Sequence, residues 1–163
     1  MTDEGILLLE EFEDCRLLAY LDSGGVWTIG IGTVRYPPWH FEGRRVKQGD
    51  VCTRAQAVDF LRFDLDRIER GVDLLTIDGL WPYQFDALVS LAYNIGEVAY
   101  KGSTVRRLVN GNDLDPNIRS AFMMWHKDNG VPVKGLWNRR HREADHYFRT
   151  STPCPPFPGL RVA

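Results

Sequence analysis

Apolar residues recur at helical spacing close to the start of the chain. Ile6, Leu9 and Phe12 share one face, so residues 3–14 are expected to form a short helix. Two short runs follow, Arg16–Leu21 and Val26–Val34, on either side of Asp22-Ser-Gly-Gly25. A four-residue connection with two glycines predicts a hairpin there. Residues 35–52 contain Pro37, Pro38, Gly43 and Gly49 and read mostly as loop. Thr53-Arg-Ala-Gln56 has the form of a capping box. A long helix is expected from it to about Gly71, with Ala57, Phe60, Leu61, Leu65 and Ile68 on one face. Further helices are expected at about 82–95, 103–110, 115–126 and 137–149. Pro82 suits a first helical turn, and the region from Gly130 to Gly135, with Pro132, suits a turn. The tail around Thr152-Pro-Cys-Pro-Pro-Phe-Pro158 cannot form regular helix. The pattern predicts a mainly α-helical α+β fold in one domain. Its parts are a small hairpin lobe at about 15–52, a linking helix at about 53–71, a helical lobe at about 72–150 and a Pro-rich tail at 151–163. A cleft between lobes is where such a fold is expected to bind its ligand.

Composition narrows the class. At 163 residues, 44% hydrophobic and 26% charged, the chain has the profile of one globular domain with a real core. Its three cysteines (Cys15, Cys52 and Cys154) are odd in number, sparse and without a Cys-x-x-Cys spacing, so reduced thiols are expected rather than a disulfide framework. The start, Met-Thr-Asp-Glu, is acidic, and the apolar run Ile6–Leu9 is too short for a signal sequence or a membrane span. His40, His126, His141 and His146 form no metal-ligand spacing, so neither metal nor cofactor is expected. A thiol hydrolase built on Cys15 would need a positioned His and Asn that no motif identifies.

Charge is unevenly spread. Residues 1–100 hold 9 basic and 17 acidic residues, whereas residues 101–163 hold 11 and 5. A basic C-terminal part suits an acidic polymer, although a solvated face is the commoner origin of such asymmetry. No nucleic-acid-binding motif accompanies Arg139, Arg140 and Arg142, so nucleic acid is not an expected partner.

The residues with chemical potential cluster early. Glu13 ends an apolar run, Asp22 opens the Gly-rich turn, and Thr28 lies on the following strand. A poor leaving group such as a glycosidic oxygen needs a proton as its bond breaks, and a carboxylic acid of raised pKa supplies one. A second carboxylate and a hydroxyl can stabilise the sugar cation or orient water. Apolar Leu9 and Leu17, and the neighbouring charge of Asp14, are expected to push the Glu13 carboxyl up; a nearby cation would pull it down. Acids near helix ends and turns are otherwise ordinary turn chemistry.

The pattern Glu13-x8-Asp22-x5-Thr28 resembles the phage-type lysozymes, glycoside hydrolase family 24. Arg-Leu-x-Ala-Tyr lies between its members, and Thr-Ile-Gly-Ile-Gly runs on from Thr28. Gln84–Gly96, Gly102-Ser-Thr104 and Lys134-Gly-Leu-Trp-Asn-Arg-Arg140 with Glu143 resemble further segments of that family, in the same order, over roughly residues 4–149. The resemblance implies that Glu13, Asp22 and Thr28 are catalytic. It places Tyr93, Thr104 and Arg140 among the substrate-binding residues, and lets Arg140 or Arg139 pair with Glu13 or hold its loop. Trp27 and Trp39 are the tryptophans best placed for sugar contact, while Trp81, Trp125 and Trp137 are expected in the core. Asp14 stands where Gly is usual, Thr33 where His is usual, and Arg35–Gly43 reads as an insertion. The resemblance implies a monomeric endolysin that cleaves the β-1,4 bond between N-acetylmuramic acid and N-acetylglucosamine in peptidoglycan. It would be made in the host cytoplasm, reach the wall through a pore-forming holin, and need no cofactor. A lytic transglycosylase and a non-catalytic wall-binding or virion module are the alternatives.

Overall fold

The computed structural model describes residues 1–22, 24–150 and 157; the rest of the proline-rich tail, Cys154 included, lies outside the described residues. The chain forms two compact units, Leu9–Arg67 and Met1–Leu8 with Ile68–Ala163.

In the Leu9–Arg67 unit, β1 (Arg16–Leu21) pairs antiparallel with β2 (Trp27–Gly30), Leu21 facing Trp27 and Tyr20 facing Thr28. The hairpin forms as expected, but β2 ends earlier than the expected Val34. Gly30 and Gly32 both take positive φ, and Ile29 and Thr33 exchange backbone hydrogen bonds across a tight reversal. A Cβ on Gly30 would lie 2.9 Å from the Ala57 Cβ, so the reversal needs glycine for space as well as for φ. Residues 35–52 are mostly loop, pinned by single bridges at Leu18–Val51 and Arg35–Arg45 and by a 3-10 turn at Phe41–Gly43. Leu9, Ile29, Ile31, Tyr36, Phe60, Leu61 and Leu65 are buried in its core. Buried Asp50 ties the loop together. It accepts two hydrogen bonds from Arg44 (2.7 and 2.8 Å), one from the Tyr36 hydroxyl (3.1 Å) and one from the Lys47 amide (3.0 Å).

Helix α1 (Asp3–Glu10) stops short of the expected residue 14. Four acidic residues, Glu10, Glu11, Glu13 and Asp14, crowd its C-terminal end, where the helix dipole disfavours negative charge. The chain leaves through a turn in which the Phe12 and Glu13 amides both donate to the Leu9 carbonyl, at 3.0 and 3.1 Å. Helix α2 (Arg54–Leu75) starts at the expected cap: the Thr53 amide donates to Gln56 Oε1 and the Gln56 amide to Thr53 Oγ1. It continues through Gly71 instead of ending there. A Cβ on Gly71 would lie 2.8 Å from the Glu97 side chain, so this glycine permits a close approach within a helix.

In the other unit, α3 (Pro82–Ile95) packs on α7 (Lys134–Phe148), α6 (Asn117–Met123) on α7, and α5 (Thr104–Gly111) on α6. Leu88, Leu91, Tyr100, Val105, Val109, Ile118, Phe122 and Tyr147 fill the core between them, each contributing about 1.5–3 kcal/mol by leaving water. Two elements were not expected, α4 (Glu97–Lys101) and a hairpin of β3 (Lys127–Asp128) with β4 (Val131–Pro132). The hairpin turns on Asn129 and Gly130, both at positive φ, which is the Asn-Gly signal for a two-residue turn. Trp125 and Trp137 are half-buried, but Trp81 is 61% exposed and stacks on Tyr83, so the core expected for it is corrected. Among the described residues no helix is long and apolar enough to cross a membrane.

Candidate active site

The three residues with the strongest sequence signal, Glu13, Asp22 and Thr28, all fall in the Leu9–Arg67 unit. Glu13 lies on the turn after α1 rather than within the helix, with its amide held by Leu9. Its side chain is half-buried. Of the two apolar neighbours expected around it, Leu9 is fully buried, while Leu17 is 43% exposed.

Asp22 builds the hairpin turn from its own side chain. Its Oδ1 accepts hydrogen bonds from the Gly24 amide (2.9 Å) and the Val26 amide (2.8 Å). Its backbone amide and carbonyl bond Val26 and Gly25. Aspartate suits this turn because a short carboxylate reaches amides two and four residues on. One carboxylate oxygen is thereby fixed, and Oδ2 makes no hydrogen bond to protein among the described residues. Thr28 is buried (3% exposed) and its hydroxyl donates to the Val26 carbonyl at 3.1 Å. A hydroxyl has one proton to give. With that proton committed, Thr28 Oγ1 can only accept, so a water beside it would be held by its hydrogen. Trp27, half-buried, precedes it and faces Leu21 across the ladder.

Thr33 is fully buried, and its hydroxyl lies 3.4 Å from Asp64 Oδ2 on α2. Burial pushes the Asp64 carboxyl up to about 6, against the smaller opposing effects of Thr33 and Arg67. A folded-state value above that of the unfolded chain means the native state holds more protons, so this group lowers stability as pH rises from about 4 to about 6. Asp50 acts in the opposite sense. The Arg44 guanidinium holds its carboxyl far below the usual range, and that stability is lost as acid protonates it. Asp64→Asn is therefore expected to gain stability over the wild type between pH 4 and 6 and to hold that gain above. Melting temperatures of the two proteins across that range check this, since the other carboxylates cancel in the difference. Parallel curves would refute it.

The remaining predicted site residues lie in the other unit. Tyr93 is half-buried on α3, and Thr104 opens α5 next to Ser103, whose hydroxyl accepts from the Arg106 amide. Arg140 is fully buried on α7. Its Nη2 donates to Glu143 Oε1 at 2.8 Å, and the same oxygen accepts from Arg139 Nε (3.1 Å) and the Ser90 hydroxyl (2.7 Å). Burial lowers the Arg140 pKa and the Glu143 charge opposes that shift. The sequence reading placed Arg139, Arg140 and Glu143 in one motif. Ser90 is not legible in the sequence, because a serine inside an apolar helix carries no sign of a partner 53 residues away.

Comparison with known proteins identifies the family and the fold. The family model described as phage lysozyme matches residues 10–143. The chain is 35% identical over 144 residues to the endolysin of Salmonella phage P22, covering 88% of this chain and 95% of that one. The solved endolysin from Escherichia coli O157:H7 phage FAHEc1 superposes with a TM-score of 0.80 at 35% identity, covering 93% of this chain and 95% of that one. The muramidase domain of SpmX from Asticaccaulis excentricus gives 0.76 at 32% identity, covering 93% and 97%.

Proposed function

Because the chain belongs to the phage lysozyme family, matching its model from residue 10 to 143, we propose that it is a bacteriophage endolysin of the lysozyme type. As a peptidoglycan hydrolase, it cleaves the β-1,4 bond between N-acetylmuramic acid and N-acetylglucosamine. Glu13 gives its proton to the leaving oxygen. Asp22 Oδ2 takes a proton from the attacking water, and Thr28 Oγ1 accepts the water's other hydrogen, which turns its lone pair towards the anomeric carbon. Water that attacks the face opposite the leaving group inverts that carbon. Trp27, Tyr93 and Thr104 are the proposed sugar contacts, by the family resemblance of the segments that carry them. Arg140, being buried, acts by holding α7 through Glu143 rather than by presenting its guanidinium to solvent. The enzyme acts as a monomer, is made in the host cytoplasm and depends on a holin to reach the wall.

The observation that carries this reading is the state of the polar groups that Asp22 and Thr28 present on one hairpin. One carboxylate oxygen is fixed by two amides and the other is left open, while the hydroxyl is confined to accepting. A transglycosylase, which expels its product as an anhydro-sugar without water, has no use for that pair. Mass analysis of muropeptides released from purified walls tests the choice. Hydrated reducing ends from the wild type, with release falling on the order of tenfold or more in Thr28→Val, are the expected result. Anhydro ends would make the enzyme a lyase, and binding without release would make it a wall-binding module.

A further inference from the structure

The loop after β2 carries a charge arrangement that the hydrolytic reading does not use. Residues 35–54 hold five basic and two acidic side chains, net +3, while the other residues of 1–100 hold four basic and fifteen acidic. Two of the five are neutralised: Arg44 by Asp50 at 2.7 Å and Arg54 by Glu10 at 2.7 Å. Arg35, Arg45 and Lys47 have no carboxylate partner among the described residues.

Arg35 and Arg45 face each other across an antiparallel bridge. The hydrogen bonds that make this bridge flank the pair. The Tyr36 amide donates to the Arg44 carbonyl and the Val46 amide to the Val34 carbonyl, both at 3.0 Å. The two arginines are thus a non-hydrogen-bonded pair, the cross-strand position where side chains stand closest. Like charges directly opposite each other weaken a ladder, and among the described residues no carboxylate offsets this one. The pair is nevertheless held in place. Arg35 Nη1 donates to the Gly43 carbonyl at 2.7 Å, and the Asp50 network fixes the strand that carries Arg45. The connecting turn exposes Trp39 (67%) and Phe41 (51%). Trp39 is braced edge-on against Phe63, and Phe41 is held at positive φ beneath Arg44.

We propose that Arg35 and Arg45, with Lys47 beside them, form an oxyanion site that takes a phosphate group. Two guanidinium groups borne on facing cross-strand residues, with one Arg35 donor engaged by the Gly43 carbonyl, still offer more donors and more charge than one carboxylate needs, and match a phosphate's several oxygens. The exposed Trp39 and Phe41 rings next to the cations fit the headgroup layer of an anionic lipid surface, where aromatic and basic side chains partition together. This site is independent of the catalytic reading, and its test uses no lytic readout.

The test compares the full chain with Arg35→Gln/Arg45→Gln and with Arg107→Gln/Lys127→Gln, which loses the same charge from exposed positions in the other unit. Co-sedimentation is measured with phosphatidylglycerol-containing and with pure phosphatidylcholine vesicles. Wild type and control are expected to bind the anionic vesicles alike and the double variant about 25-fold less, from about fivefold for each of the two basic residues. Inorganic phosphate is expected to raise the melting temperature of the wild type but not of the double variant. Without phosphate, Arg45→Gln should melt no lower than wild type, because it relieves repulsion. A phosphate response with equal vesicle binding would support the oxyanion site but overturn the lipid headgroup in favour of soluble phosphate. Equal behaviour of all variants in both assays would overturn the site. Weaker binding of the double variant to insoluble walls, with neither phosphate nor vesicles discriminating, would overturn it in favour of wall carboxylates.

Discussion

Glu13→Gln is expected to yield a folded protein that no longer clears cell walls. Glutamine keeps the shape of the side chain and the Glu13 amide bond to Leu9, so the turn after α1 should persist. It cannot deliver a proton to the leaving oxygen. General acid catalysis contributes on the order of 10²–10⁴ in rate, and a sugar oxygen is a leaving group that depends on it heavily. Turbidity loss of permeabilised Gram-negative cells, wild type beside variant at matched melting temperature, measures the effect. A variant that lyses cells at wild-type rate would remove Glu13 from the proposed mechanism. A variant that melts far lower would instead give Glu13 a structural role.

The largest stability effect is expected at Glu143, far along the chain from Glu13. It is completely buried, and one of its oxygens is shared by Arg139, Arg140 and Ser90. Glu143→Ala leaves two buried guanidinium groups without their counter-charge. Breaking a buried ion pair from one side costs about 3–5 kcal/mol, because the stranded charge is what the fold must then carry. For a domain of this size that corresponds to a fall in melting temperature of roughly 10 °C. Ser90→Ala removes only a neutral donor and should cost about 1 kcal/mol. Thermal melts of the two variants check the order. Equal and small losses would show that solvent reaches the cluster and screens it.

These two residues also mark the boundary between what could be read along the chain and what could not. The turn at Asp22 and the hydroxyl bond of Thr28 were legible because both are local. Asp22 bonds amides two and four residues on, and Thr28 bonds a carbonyl two residues back, so spacing alone carries the geometry. The same holds for the Thr53–Gln56 cap, the Pro82 start of α3 and the Asn129-Gly130 turn. The early end of β2 was not legible, because Gly30 and Gly71 look alike in the sequence. One reverses a strand against Ala57, and the other lets a helix pass close to Glu97.

The sequence by itself determined the periodicity of the helices, the hairpin around Asp22 and the family to which the catalytic pattern points, because hydrogen bonds over two to four residues and the 3.6-residue repeat are local physics. Only the tertiary structure decided that Ser90 meets Glu143 across 53 residues, that Asp64 lies buried beside Thr33, and that Arg35 faces Arg45 with no acid between them. The reason is the same in each case. Burial and the pairing of charges depend on which distant segments fold against one another, and no spacing along the chain records that.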